Sequence, residues 1–484
     1  MSESKFSLKY CVILPIILVL TVVLFFMPTS WYGIEGLTVV QQRTIALFLF
    51  AALMWITEAV PAWATSIIVT VLLIFTVSNG AFSFLLTPVE GGYAEGALCT
   101  YKELMGSFAS PTIMLFMGGF VLALAATKVG LDVVLAKVLL KPFGTNPKMV
   151  LLGILFVVAL FSMFMSNTAT AAMMLAFLAP VLRTLPADGK GRIGLALAIP
   201  IGANLGGIGT PIGTPPNVIA LGYLKESLGI EVGFGEWCMH MVPFVFVMLV
   251  IAWLLLLFFF PFKAKSIELK IESDGKRDYK FWVVAVTFIV TILLWLIPSD
   301  ITNLNSNEVA LIPFGVFVAT GVFEKKDFAG LSWDVLWMVA GGLALGTALV
   351  KTGLANTLVN AIPFDSMSAL AVLLISGFIG YGISNFLSNT SAANLLVPIL
   401  TAIAVGAAGT TLGTQLDAIG GVRALLIGLA MSTSFAMILP ISTPPNAIAS
   451  STGLVETKDM AKIGVLIGAI GLTLGYTLLI SVGI

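Results

Sequence analysis

The chain has 484 residues, of which 59% are hydrophobic and only 10% charged, with 24 basic and 24 acidic side chains in balance. A water-soluble domain carries about 25% charged residues and cannot bury this much apolar side chain, so a soluble fold is excluded and a bilayer is the required solvent. Zero net charge removes the electrostatic case for nucleic acid, and Cys11, Cys99 and Cys238 lack the spacing of a disulfide framework or a thiolate metal site.

Lys5 and Lys9 precede the apolar run Val12 to Met27, which has no clear small-residue cleavage signature. It reads as a retained first helix, 11–28, and not as a signal peptide. Each crossing needs about 20 mostly apolar residues. Further crossings are expected at 42–57, 61–79, 111–128, 192–224, 240–262, 281–298, 308–323, 333–350, 423–455 and 463–483. Two apolar stretches, about 149–183 and 366–404, are too long for one span and are interrupted midway by polar motifs. They are expected to be re-entrant hairpins, because irregular backbone at membrane depth is tolerated only where protein or a water-lined cavity surrounds it. The layout is an N-terminal helix (1–40), a first repeat (41–262), a polar cytoplasmic linker (263–280) and a second repeat (281–484). The single histidine, His240, stands at the start of an apolar segment without clustered ligands and is read as structural.

The fold class is therefore an all-α integral membrane protein: about 11 transmembrane helices, two re-entrant hairpins and two broken helices. With a cytoplasmic N-terminus, 19 of the 24 Lys and Arg residues fall inside, as the positive-inside rule requires. Eleven crossings then put the C-terminus outside, with a cell's inner (plasma) membrane as the expected location.

The halves repeat. Ser166-Asn167-Thr168 recurs as Ser388-Asn389-Thr390, and Gly118-Gly119 as Gly341-Gly342. Lys128-Val129-Gly130-Leu131 recurs as Lys351-Thr352-Gly353-Leu354, and Thr214-Pro215-Pro216-Asn217 as Thr443-Pro444-Pro445-Asn446. Between the glycine pairs the layout crosses the membrane five times, an odd number, so the halves are expected to be inverted, an arrangement that recurs in transporters. The glycine pairs themselves read as close packing.

Prolines and glycines around each T-P-P-N should break the helix there, so four half-helix ends could meet at mid-membrane. Their N-termini attract anions. Yet Met149–Leu182, Ile193–Leu224, Ser366–Leu416 and Ala424–Val455, which contain all four motifs, carry no charged residue. Burying a dianion without compensating charge is costly. Bound cations would remove that cost, and Asn, Ser, Thr and carbonyl oxygens are hard ligands of the kind Na+ accepts. Polar residues in membrane helices often only cross-link them, but duplication beside helix breaks argues for a site. Ser162 and Ser384 each lie four residues, one helical turn, before the motif serine.

Over nearly its whole length, on both SNT and both TPPN motifs in this order, the chain resembles the divalent anion/sodium symporters, the sodium-dependent dicarboxylate transporter group. The resemblance implies homodimers with a scaffold and a sliding, elevator-type transport part, and sodium-coupled symport of dicarboxylates by alternating access. It implies that Asn167, Thr168, Asn389 and Thr390 contact the substrate, with Thr443 and Pro444 helping and Thr214 and Pro215 as their symmetry mates. It further implies one sodium site of Ser162, Ser166, Asn167 and the backbone of Gly213. A second would use Ser384, Ser388, Asn389 and the backbone of Ser442.

The expected function is sodium-coupled uptake of C4-dicarboxylates such as succinate, malate and fumarate. The alternatives are transport or exchange of another divalent anion (sulfate, citrate, 2-oxoglutarate) and a passive anion channel. An enzyme is not expected, since the motif stretches contain no Asp, Glu or His.

Overall fold

The computed structural model describes residues 9–186, 189–267, 277–360 and 368–482. Lys5, the middle of the polar linker (268–276, with Lys270 and Lys276) and the start of the second hairpin stretch (366–367) lie outside the described residues.

Among the described residues the fold is helical, apart from one antiparallel pair of two-residue strands, Pro88–Val89 and Gly92–Tyr93, in the loop before Tyr101. Eight helices are long and apolar enough to cross a membrane, and a bent pair, Thr411–Asp417 with Gly421–Ser434 at 69°, makes a ninth. The crossings expected at 11–28, 61–79 and 308–323 fall on shorter apolar helices, Cys11–Phe26, Ala62–Val77 and Ser306–Ala319. These three helices stop at Met27, Ser78 and Thr320, short of the expected spans, which leaves eight of the eleven. The remaining one of the nine candidates is Asn389–Ala407, expected as one arm of the hairpin at 366–404 but itself long and apolar enough to cross.

The stretch 149–183 is two helices, Pro147–Ser162 and Asn167–Thr184, and 366–404 contains Ala369–Ser384 and Asn389–Ala407. The stretch 192–224 is broken between Gly191–Ile208 and Pro215–Gly222, and 423–455 between Gly421–Ser434 and Pro444–Ser450. The motifs spell these restarts. Ser166 and Ser388 are N-caps whose hydroxyls accept from Ala169 N and Ser391 N. Thr443 caps its helix by accepting from Asn446 N, and the paired prolines take the first helical positions, where no N–H is needed.

Gly191–Ile208 is the most enclosed span, 89% buried, whereas Phe234–Phe259 and Tyr279–Leu296 are only 33% and 28% buried. The former therefore sits at the centre, and the latter two turn apolar surface such as Phe258, Trp282 and Ile289 outward, as lipid permits.

The two glycine-pair helices, Pro111–Lys128 and Trp333–Lys351, run antiparallel. Lys128, at the end of the first, pairs with Asp327 (2.6 Å), just before the start of the second. Lys351, at the end of the second, pairs with Glu103 (3.0 Å), in the lead-in to the first. Both acids also accept from the backbone N–H that opens their own short helix, at Thr100 and Glu324. Burial pushes the Asp327 carboxyl up, but the Lys128 bond and the Glu324 N–H outweigh it and hold it below the usual carboxylate range. Gly130 and Gly353 follow with φ of 70° and 72°, a left-handed turn that glycine makes at little cost. Gly118 abuts the backbone of Ala310, and Gly341 abuts Ser66, which is close helix packing.

Candidate functional site

The four motifs meet. A cavity of about 200 Å³ is lined by Ser166, Asn167 and Thr168, by Gly213, Thr214 and Pro215, by Ser388, Asn389 and Thr390, and by Ser442, Thr443 and Pro444. Every residue expected to touch substrate therefore lies on one wall system, and among the described residues no charged side chain lines it. Four helix N-termini, at Asn167, Pro215, Asn389 and Pro444, open at this cavity. At Asn167 and Asn389 free backbone N–H groups supply partial positive charge without a basic residue, whereas the two TPPN helices open on paired prolines that have no N–H and contribute only through the helix dipole.

The opposite wall was not read from sequence. Phe116 and Phe120 come from one glycine-pair helix, and Val335 and Met338, with Ser332 before them, from the other. The two phenyl rings lie 4.5 Å apart, tilted. Apolar side chains at helical spacing look the same whether they face lipid, core or cavity, so no sequence signal distinguished them. A second space of about 210 Å³ adjoins the first, sharing Phe120, Ser166 and Ser332 and reaching Thr127. The site is uneven: Thr168 is exposed whereas its counterpart Thr390 is buried.

Behind each SNT motif lies an oxygen cluster. Ser162 Oγ is 2.5 Å from Asn167 Oδ1 and 2.7 Å from the Ala203 carbonyl oxygen. Ser384 Oγ is 2.8 Å from Asn389 Oδ1 and 2.9 Å from the Thr433 carbonyl oxygen. Each hydroxyl has one proton for two acceptors, so each cluster holds more oxygen lone pairs than hydrogens, the donor set a hard cation needs. Both serines are fully buried. In the first cluster the Gly207 Cα faces the Asn167 carboxamide and the Gly213 carbonyl together: an added Cβ would stand 2.8 Å from Asn167 Oδ1 and 3.2 Å from Gly213 O. Ser442, expected at the second ion site through its backbone, engages its side chain elsewhere: the hydroxyl accepts from Leu439 N and contacts the Asn385 carbonyl at 3.0 Å. The Ala203 and Thr433 carbonyls escaped sequence reading because a backbone oxygen has no residue signature.

Among the described residues no group of three or more His, Cys, Asp or Glu is placed to hold a metal ion. His240 is half-buried in Phe234–Phe259.

A citrate transporter family profile (CitMHS) matches residues 52–419. The chain is 29% identical to a sodium-dependent dicarboxylate transporter, SdcS, of Staphylococcus saprophyticus, over 93% of this chain and 86% of that one. It is also 29% identical to the inorganic phosphate transporter PHO87 of Saccharomyces cerevisiae, over 85% of this chain but 43% of the relative, so it spans less than half of that longer protein. Among solved structures it is similar in fold to the YdaH transporter of Alcanivorax borkumensis, with a TM-score of 0.55, 13% identity, and 91% and 97% of the two chains covered. MtrF of Neisseria gonorrhoeae matches with a TM-score of 0.54, 12% identity, and 87% and 94% covered.

Proposed function

The chain belongs to the citrate transporter family of secondary anion transporters, and on that premise we propose that it takes up C4-dicarboxylates together with sodium ions. It is a multi-pass membrane protein and not an enzyme. The observation that carries the finer reading is the cavity itself: motifs from both halves surround it and among the described residues no basic side chain lines it. A dianion held there needs positive charge from helix N-termini and from cations. The two oxygen clusters, each sharing an SNT asparagine with the cavity, are where sodium would bind. Asn167 and Asn389 then touch ion and substrate at once, so occupancy of one favours the other. Thr168, Thr390, Thr443 and Pro444 complete the anion site, with Thr214 and Pro215 on the pseudo-symmetric side.

The similarity to SdcS supports both dicarboxylate and sodium. The similarity to PHO87 favours a second reading, inorganic phosphate. The apolar wall of Phe116, Phe120, Val335 and Met338 favours the first: it suits a methylene backbone between two carboxylates, whereas a compact tetrahedral oxyanion exposes polar oxygen on every side. The antiparallel glycine-pair helices support an inverted pair of repeats that alternate access by an elevator motion. A plasma-membrane orientation with the N-terminus inside and the C-terminus outside agrees with the distribution of basic residues, and a homodimer is what the family resemblance implies.

The test is uptake of radiolabelled succinate into proteoliposomes. Accumulation should follow an imposed sodium gradient and stop when potassium or choline replaces sodium, with succinate analogues competing better than phosphate, citrate or sulfate. Uptake indifferent to every cation would reject the coupling, and preferential competition by phosphate would install the second reading.

A further inference from the structure

We infer that Asn204, a residue of neither motif, is a positioning residue that turns the Thr443 hydroxyl into a pure hydrogen-bond donor toward the substrate. Asn204 lies on the central helix Gly191–Ile208 of the first half and is 1% exposed. Its Nδ2 is 3.2 Å from Thr443 Oγ1 and 3.2 Å from Asn446 Oδ1, both in the second half. The amide orientation is fixed by the neighbour: Asn446 Nδ2 donates to the Leu439 carbonyl at 2.9 Å, so Asn446 presents oxygen to Asn204, which must present nitrogen.

Thr443 Oγ1 thus accepts twice, from Asn204 Nδ2 and from Asn446 N at 3.3 Å. A hydroxyl has two lone pairs and one proton. With both lone pairs engaged, only the proton is left, and Thr443 lines the cavity. A carboxylate accepts only, so a hydroxyl locked as donor is matched to an anion and mismatched to a group that can only donate, such as an ammonium.

The first half lacks this device. The carbonyls of Ala203 and Thr433 take the same bond from Ser162 and Ser384, which makes Ser434 the counterpart of Asn204. Ser434 spends its hydroxyl on the Ala430 carbonyl at 2.8 Å, and Thr214 makes no capping bond. The pseudo-symmetric cavity is therefore chemically one-sided, with the anion drawn to Thr443. This rests on the proposed anion site, and the experiment separates the two.

The measurement is the KM for succinate in sodium-driven proteoliposome uptake, as a double-mutant cycle of Asn204→Ala with Thr443→Val. Thr443→Val should raise KM; an unchanged KM would reject the anion site and this inference together. Asn204→Ala should raise KM about tenfold, roughly one hydrogen bond to a charged group, with maximal rate and sodium half-saturation within about twofold of wild type. In the Thr443→Val background Asn204→Ala should add less than about twofold, whereas in Thr443→Ser, which keeps the hydroxyl, it should act in full. Multiplying effects in the Val background would overturn the inference and leave the anion site standing. If Asn204→Ala does not fold, Asn204→Asp keeps the shape but removes the donor nitrogen; wild-type succinate affinity in that variant would equally overturn it.

Discussion

Ser384 Oγ stands 2.8 Å from Asn389 Oδ1, while the Thr433 carbonyl oxygen lies 2.9 Å from the same hydroxyl. Three oxygens share one proton there, and Asn389 also faces the cavity. The same relation between Ser162 and Asn167 in the other half makes it a feature of the repeat and not an accident of one turn.

Ser384→Ala removes one of those oxygens without adding bulk. The sodium concentration for half-maximal succinate uptake should rise about tenfold or more, the scale on which a trimmed metal environment loses affinity. A sodium titration of uptake checks it, and an unshifted curve places the ion elsewhere.

Asn167 faces both the Ser162 cluster and the cavity. Asn167→Ala should therefore weaken sodium activation and succinate affinity together, as linkage requires of a group that touches both ligands. Loss of only one of the two, in paired sodium and succinate titrations, would contradict the shared role.

Thr390 is 7% exposed and lines the cavity. Thr390→Ala should raise the succinate KM about tenfold while leaving the thermal unfolding midpoint in detergent nearly unchanged. A fall in the midpoint with an unchanged KM would make Thr390 a packing residue.

An alanine at Gly207 would press its Cβ on Asn167 Oδ1 and the Gly213 carbonyl, whereas an alanine at Gly382 meets nothing within 4 Å. Gly207→Ala should cost about 1–3 kcal/mol by overpacking and abolish most sodium-driven uptake. Gly382→Ala should behave as wild type in the same assay, and equal defects would refute the local argument.

Asp327 holds its proton less readily in the folded protein than free Asp does. A depressed carboxylate contributes stability that is fully present above the ordinary Asp range and is lost as pH falls through the lowered value. Asp327→Asn should therefore lower stability by about 1 kcal/mol at neutral pH, given a partly exposed pair. Its deficit against wild type should shrink on acidification; thermal unfolding in detergent across pH reads it, and a deficit that grew would reverse the sign.

The sequence by itself determined the membrane class and the four helix interruptions, before Asn167 and Asn389 and at both T-P-P-N motifs, and it picked out the SNT and TPPN residues that converge on one cavity. It could do so because apolar length, N-capping serines and paired prolines act locally: they stop and restart a helix wherever they occur. The family resemblance carried by those motifs is borne out by the profile match over 52–419. What only the tertiary structure decided is which groups from distant segments share space. The Ala203 and Thr433 carbonyls behind the serines, the apolar wall of Phe116 and Met338, and the bond from Asn204 to Thr443 join elements far apart in the chain. Backbone oxygens are the same at every residue and apolar side chains serve lipid, core and cavity alike, so their roles follow from helix placement, and helix placement follows from packing over the whole molecule.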